Sequence, residues 1–281
     1  MEWTRCVFVK KPENVIAVDG KTMRGTIQGE GKPFVHMVSA WSCENGVSLG
    51  QIAVDDKSNE ITAMPKLLRL LGIEGAVVTS DAMGCQKEIA KLICDKGGDY
   101  ILAAKGNHPG LFEEIKETAA YLPPKTSYTE TDCGHGRVET RTYYVYRDLS
   151  MISGSWNWEK LAAIVRVDSC RFFKKDGRET KETRYYLTGL NNCSAAFIAT
   201  CIRQHWQVEN NLHWMLDVCF QEDKIRRADK TAAENFSRMN RMALAVIKNA
   251  PSPSLRSKSI KARRFRASVD EDYLMQILIG I

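Results

Sequence analysis

The stretch "VIAVDGKTMRG", Val15 to Gly25, decides how the rest of the sequence is interpreted. Four apolar residues run directly into Asp19, and Lys21 and Arg24 follow closely behind it. A short apolar run of this kind predicts a buried strand, and here the strand ends on a carboxylate. The pattern therefore predicts an acid held at the rim of a sheet, with cations beside it.

The segments after Gly25 alternate between strand and helix patterns. Two predicted strands, "PFVHMVSAWSC" (33–43) and "GVSLGQIAVD" (46–55), are joined by Glu44-Asn45-Gly46, which is a hairpin signal. A helix is predicted next, over "NEITAMPKLLRLLG" (59–72), and a strand that ends on Asp81 follows it, "AVVTSD" (76–81). An amphipathic helix, "GCQKEIAKLICDKGG" (84–98), and a fifth strand, "DYILAAK" (99–105), complete this part. This order predicts an α/β fold, a mixed sheet flanked by helices, and it matches the ribonuclease-H-like fold.

The pattern changes after Asn107. Three segments rich in Tyr, Thr, Val and Arg predict further antiparallel strands: 126–147, 160–173 and 183–190. We interpret residues 125–190 as a β-rich insertion, followed by helices over 195–218 and 231–249. The segment "PSPSLRSKSIKARRFR" (251–266) carries six Lys or Arg residues and no acid, so we expect it to be a solvated basic segment.

Composition narrows the class of protein. The 281 residues have a formal net charge of +6, which favours anionic partners, of which nucleic acid is the commonest large one. Nine cysteines form no C-x-x-C pair, and the N-terminus shows no signal-peptide pattern, so free thiols in the cytoplasm are expected. No apolar run approaches the roughly 20 residues of a membrane span, and a soluble protein is expected.

The two strand-end acids form the candidate catalytic constellation. In the ribonuclease-H-like fold Asp19 and Asp81 would end neighbouring strands, and two such carboxylates repel each other in the absence of a cation. Mg²⁺ prefers oxygen ligands and would remove that conflict. A third carboxylate would allow two ions to be held for in-line attack on a phosphodiester. The alternative is that both acids are only strand-end caps.

Six segments carry a resemblance to a known family: "VIAVDGKTMRG", "DDKSNEITAMPKLL", "TSDAMGCQKEIA", "GGDYILAAKGN", "GHGRVETR" and "HWQVENNLHWMLDVCFQED". In this order they resemble the DDE transposases of the H-repeat, Rhs-element-associated insertion-sequence group. The resemblance implies a catalytic domain over 15–250 between an N-terminal remnant (1–14) and a basic C-terminal segment (251–281). It thus implies an N-terminally truncated member of the family.

The resemblance also implies a function. The acidic triad would be Asp19, Asp81 and Glu209, which would bind Mg²⁺, with Mn²⁺ as a substitute. The protein would act on DNA as a homodimer, cleaving strands and transferring them at insertion-sequence ends. Two other functions stay open: an inactive remnant that only binds DNA, and a metal-dependent nuclease of the same fold.

Glu209 has support from the residues around it. His205, Glu209 and His213 recur every four residues and would share one face of a helix. The histidines would then lie near substrate phosphate, bind a transition metal, or simply pack inside a buried helix. Glu222 and Asp223 are the alternatives for the third acid.

Several cations and polar groups are candidates for binding DNA. Lys21 and Arg24 follow the first acid, and Lys105 and Asn107 follow the fifth strand. In "HGRVETR" the ionic side chains alternate, so they would share one strand face that is solvated or contacts DNA or a dimer partner. The DNA-contacting residues of this face would be His135, Arg137 and Arg141.

Overall fold

The computed structural model describes residues 14–28, 32–33, 35–54, 59–134, 136–250 and 259–279. The chain divides into two compact units. The first comprises Met1–Gly72 and His205–Ile281, and the second comprises Ile73–Gln204. Each unit is described by itself.

The first unit contains an antiparallel sheet made of β1 (Val15–Thr22), β4 (His36–Ser42) and β5 (Val47–Ala53), with the short pair β2 (Ile27–Gln28) and β3 (Lys32–Pro33) apart from it. The strand order of this sheet is β5-β4-β1. β4 and β5 pair across a turn in which Gly46 has a φ of 66°, a conformation that glycine adopts without strain. The predicted hairpin is therefore confirmed.

Strand β1 is anchored by the apolar run that precedes its acid. Val15, Ile16, Ala17 and Val18 are at most 1% exposed. Burying each of the larger three contributes about 1.5–3 kcal/mol, enough to hold a strand whose end carries charge. Asp19 pairs with Ser39 of β4 in the antiparallel register. Since side chains alternate along a strand, Asp19 and Lys21 lie on one face of the sheet and Gly20 and Thr22 on the other.

The other regular elements among the described residues of the first unit are helices. They are α1 (Glu60–Leu70), a π-helix (Val208–His213), α5 (Trp214–Cys219), α6 (Lys230–Asn249), α7 (Ile260–Val269) and α8 (Glu271–Ile279), together with the end of α4 (Ala195–Gln207), which is divided between the units. Helix α1 contacts β4 and β5, and α6 contacts β5. The helix predicted over 195–218 is thus interrupted by a π-helical segment.

The second unit contains a larger, mixed sheet and the helices α2 (Lys87–Asp95) and α3 (Pro109–Tyr121). Its strands are β6 (Val77–Ser80), β7 (Asp99–Ala104), β8 (Thr126–Gly134), β9 (Arg137–Tyr146), β10 (Ala163–Phe173) and β11 (Glu179–Thr188), in the order β6-β7-β11-β10-β9-β8. The pair β6–β7 is parallel, whereas β7–β11, β11–β10, β10–β9 and β9–β8 are antiparallel. The α/β class with a mixed sheet flanked by helices is confirmed.

The β-rich segment predicted over 125–190 is joined to the mixed sheet of the second unit. β11 pairs directly with β7, with Leu187 opposite Leu102, so the strands of 125–190 continue the sheet of this unit. The physical reason is that β7 would otherwise present unpaired backbone groups along its edge. Both leucines are fully buried, which adds apolar burial to the backbone pairing.

The C-terminal basic segment is helical where the structure describes it. Residues 251–258 lie outside the described residues, and 260–269 form helix α7, in which no residue is buried. Ser259 caps the helix by accepting a hydrogen bond from the Ala262 backbone N–H. Arg264 packs over the Phe220 ring and donates to the Cys219 carbonyl, so its long side chain supplies the packing that apolar residues would otherwise supply. None of the helices in the described ranges combines the length and the apolar character needed to cross a membrane.

Candidate metal centre

Three potential metal ligands of the first unit meet beside strand β1. Asp19, Glu209 and His213 each offer one ligand atom, and these atoms all lie within 4.8 Å of one another. Asp19 is half-buried on β1, Glu209 is exposed, and His213 is 6% exposed. Two carboxylates and an imidazole at this separation match the ligand types of a divalent cation site.

His213 is held in the form that can bind a metal. Its Nδ1 lies 3.4 Å from Oδ2 of Asp19, and its buried Nε2 has no hydrogen-bond partner within the described part of the chain. Burial, together with the positive charges of Arg241 and Lys21, lowers the pKa of His213 to about 3. The imidazole is therefore neutral at physiological pH, and a neutral imidazole is the form that ligates metal ions.

The π-helix places Glu209 and His213 together. The backbone N–H of Trp214 bonds to the Glu209 carbonyl, five residues back, which defines the wider π turn. His205 lies before this segment, on α4, and the ligand cluster found among the described residues does not include it. Burial lowers the pKa of His205 to about 4, as expected for the packing interpretation of that histidine. The four-residue spacing did not reveal the π turn, because that spacing is compatible with an ordinary α-helix.

Glu222, the alternative third acid, has a different environment. It is fully buried, and its Oε1 lies 3.5 Å from Nη1 of Arg241. Arg241 also contacts Ser237 and donates to Oγ of Ser39, 3.3 Å away. Glu222 is thus engaged in an internal ion pair, and the geometry favours Glu209 as the acid beside Asp19.

Lys21 contacts acids rather than solvent. Its Nζ lies 2.7 Å from Oδ1 of Asp217 and 3.2 Å from Oδ1 of Asp223, and the side chain is 8% exposed. Arg24 is different, because its side chain is 80% exposed while its backbone N–H donates to Asp223. The predicted contact of these two cations with DNA stays a prediction.

Two glycines of the opening stretch, Gly20 and Gly25, lie where other parts of the chain approach strand β1 and the turn after it. A Cβ at Gly20 would lie 2.3 Å from Oε1 of Glu60, whose carboxylate pairs with Nε2 of His36 at 2.6 Å. A Cβ at Gly25 would lie 2.4 Å from the backbone oxygen of Ile225. Close approach of backbone therefore excludes a side chain at Gly25, whereas at Gly20 the obstacle is the movable end of the Glu60 side chain. The sequence analysis did not predict a role for Glu60 or His36. The glycine at position 20 was the one local sign that another side chain approaches the strand there.

Asp81 belongs to the second unit, so its predicted pairing with Asp19 stays a prediction. The residue follows β6, and its Oδ1 accepts a hydrogen bond from the Met83 N–H at 3.0 Å. The Asn107 amide donates to the Ala82 carbonyl at 2.7 Å, which places Asn107 at the same end of the sheet as Asp81. Lys105 is exposed at the end of β7.

The ionic face of β9 is an internal network. Glu139 is 3% exposed, and Arg137, Arg141 and Arg171 all form ion pairs with it. Burial alone would raise the pKa of Glu139, but the arginines hold it below its ordinary value. Arg141 is only 11% exposed, so this strand face is not fully solvated, and the predicted contact of Arg137 and Arg141 with DNA stays a prediction. His135 lies outside the described residues.

Comparison with known proteins identifies the family. Residues 10–246 match the model of the Transposase DDE domain. Two proteins of Escherichia coli (strain K12) are similar over 293 aligned residues, which cover 100% of this chain and 75% of each relative. They are YbfL, at 38% identity, and the H repeat-associated protein YhhI, at 37% identity.

A solved structure supports the fold. The piggyBac transposase, in a synaptic complex with hairpin DNA, aligns with a TM-score of 0.51 and 12% identity over 95% of this chain and 54% of that one. This chain therefore spans about half the length of piggyBac, and at this identity the likeness shows the fold alone. It confirms the ribonuclease-H-like class. Given a family model that spans most of the sequence and relatives similar along its whole length, the chain belongs to the DDE transposases, in the H repeat-associated group.

Proposed function

We propose that this protein is a metal-dependent DNA transposase that cleaves DNA strands and transfers them at insertion-sequence ends. Asp19, Asp81 and Glu209 would hold the divalent cations, Mg²⁺ or in its place Mn²⁺. The observation that carries the proposal is the meeting of Asp19, Glu209 and a neutral His213 within 4.8 Å, in a chain of the DDE family. DNA is the expected partner, bound by a homodimer.

The ligand set fits the proposed cations. Two carboxylates supply the hard oxygen ligands that Mg²⁺ and Mn²⁺ share, whereas imidazole is the better ligand for Mn²⁺. When bound, such cations activate the attacking hydroxyl and stabilise the leaving oxygen of a phosphodiester. The role of Asp81 rests on its position at the end of β6 and on the family resemblance.

The chain's own residues would orient the reactants. Asp19 is rigidly placed, because the strand before it is buried and its backbone pairs with Ser39. The neutral imidazole of His213 lies against the Asp19 carboxylate and adds no positive charge that would compete with a cation. The exposed guanidinium of Arg24 is available for a DNA phosphate. No covalent protein intermediate is required.

The experiment measures cleavage of end-bearing and supercoiled DNA in Mg²⁺, Mn²⁺, Ca²⁺ and EDTA. We expect cleavage by the wild type in Mg²⁺ or Mn²⁺ and loss of cleavage in Asp19→Asn, Asp81→Asn and Glu209→Gln, with DNA binding largely preserved. Asp272→Asn removes the same charge from exposed α8 and serves as the control. Cleavage that persists in EDTA or in Asp19→Asn would refute the mechanism. A wild type that binds DNA but never cleaves it would point to the remnant function instead.

A further inference from the structure

The carboxylate of Asp223 sits among donors that are typical of a phosphate site. Its Oδ1 accepts hydrogen bonds from the Lys21 ammonium at 3.2 Å and from the Arg24 backbone N–H at 3.0 Å. Its Oδ2 lies 4.0 Å from Nε of Arg24. An ammonium, a backbone amide and a guanidinium converging on one anion are the groups with which proteins bind phosphate oxygens.

The position of this pocket relates it to the candidate metal centre. Lys21 follows Asp19 by two residues on the same strand face, so their Cα atoms are roughly 6.6 Å apart. A DNA strand whose phosphate reached Asp19 would bring a further phosphate oxygen towards Lys21. The Arg24 side chain is 80% exposed and can be reached from solvent, whereas the Lys21 side chain is 8% exposed.

The two acids that contact Lys21 differ in how they are held. Asp217 is part of helix α5 and lies 2.7 Å from the ammonium. Asp223 lies in the turn between α5 and α6, just after Gln221, which has a φ of 56°. The turn itself is anchored by the buried Glu222–Arg241 pair, so rotation of the Asp223 side chain alone would vacate the pocket.

We propose that Lys21 and Arg24 form a phosphate subsite that the Asp223 carboxylate occupies until a DNA phosphate replaces it. Asp217 keeps the ammonium in place during the exchange. The carboxylate thus acts as an internal competitor that weakens the binding of DNA beside Asp19. The identity of the displacing ligand as DNA rests on the proposed function, whereas the binding of a phosphate group in this pocket does not.

The test uses inorganic phosphate and a short DNA duplex as probes, in EDTA, so no outcome depends on catalysis. The variant is Asp223→Asn, which keeps the size of the side chain and removes its charge. The matched control is Asp272→Asn, which removes the same charge from exposed α8. Thermal unfolding is followed over a series of phosphate concentrations at constant ionic strength, because a ligand of the native state raises Tm.

We expect phosphate to raise the Tm of Asp223→Asn more than that of the wild type or the control. The Kd for DNA should fall about three- to fivefold in Asp223→Asn. Asp223→Glu keeps a carboxylate at this position, so it should show neither the larger rise in Tm with phosphate nor the tighter binding of DNA. If Asp223→Asn fails to fold, as judged by circular dichroism, Asp223→Ser provides a second neutral variant.

Equal responses of Asp223→Asn and Asp272→Asn would overturn the proposal, because the effect would then be one of net charge alone. A loss of stability in Asp223→Asn without any gain in phosphate binding would also overturn it, and would assign Asp223 a purely structural ion pair. Failure of the proposed function has a different signature. It would appear as phosphate binding in Asp223→Asn in EDTA, together with no DNA cleavage by the wild type in the separate Mg²⁺ assay of the proposed function.

Discussion

Nδ1 of His213 lies 3.4 Å from Oδ2 of Asp19, and this pair links the π-helix to the first strand of the sheet. The relationship joins the predicted catalytic acid of β1 to a histidine whose role the sequence left open. Because the imidazole is neutral and buried, it offers a nitrogen ligand atom beside those of the two carboxylates. The affinity of this centre for a cation should therefore depend on His213.

Replacing His213 should weaken Mn²⁺ binding more than Mg²⁺ binding. His213→Asn removes the imidazole, a ligand that Mn²⁺ accepts more readily than Mg²⁺ does. We expect the Kd for Mn²⁺ to rise about tenfold or more. Isothermal titration of both cations would measure this, with His205→Gln as a control that removes an imidazole outside the cluster. Equal losses in the two histidine variants would contradict the assignment.

The half-buried His205 should make stability depend on pH. Its folded-state pKa is about 4, below its ordinary value of roughly 6.5, so between these limits the unfolded chain binds the extra proton. The contribution of His205 to the free energy of unfolding is therefore complete above about pH 6.5. It is lost as the pH falls towards 4, by up to about 1.4 kcal/mol per pH unit. Urea unfolding at several pH values should show a shallower decline in His205→Gln. Parallel curves for wild type and variant would rule this out.

The glycines of the opening motif should differ in their tolerance of a side chain. In Gly20→Ala the new methyl group meets the flexible end of Glu60, which can move away at the expense of its pair with His36. In Gly25→Ala it meets backbone of Ile225, which cannot move as easily. We expect Gly25→Ala to lower the free energy of unfolding by about 1–3 kcal/mol and Gly20→Ala by less.

The control for the glycine series is Gly106→Ala, where a Cβ would meet nothing within 4 Å among the described residues. Urea unfolding of the three variants gives the ranking. A Gly20→Ala variant that is less stable than Gly25→Ala would show that Glu60 is fixed in place.

The buried pair of Arg241 and Glu222 should be sensitive to removal of one partner. Arg241→Met leaves a fully buried carboxylate without its guanidinium, which typically costs about 3–5 kcal/mol. The double variant Arg241→Met with Glu222→Leu removes both charges and should recover much of that loss. A double-mutant cycle in denaturant measures the coupling. Additive losses would mean that the two residues do not stabilise each other.

Much of the fold could be predicted because the informative segments are strongly apolar. β1, β6 and β7 are short buried runs, and each lies where the sequence predicts it. The helix Pro109–Tyr121 was missed, since its pattern is weak and its buried residues include the polar Thr118. The attachment of β11 to β7 was also missed, because strand pairing between distant segments leaves no local signal.

The sequence by itself determined the family, the α/β class and the candidacy of Asp19 and Glu209, because apolar runs, chain order and a set of ordered motifs are local properties. Only the tertiary structure decided which charges meet. In the folded chain His213 contacts Asp19, and Lys21 forms ion pairs with Asp217 and Asp223, which lie about two hundred positions further along the sequence. The physical reason is that ion pairs depend on separations of a few ångströms in space, which spacing along the chain does not fix.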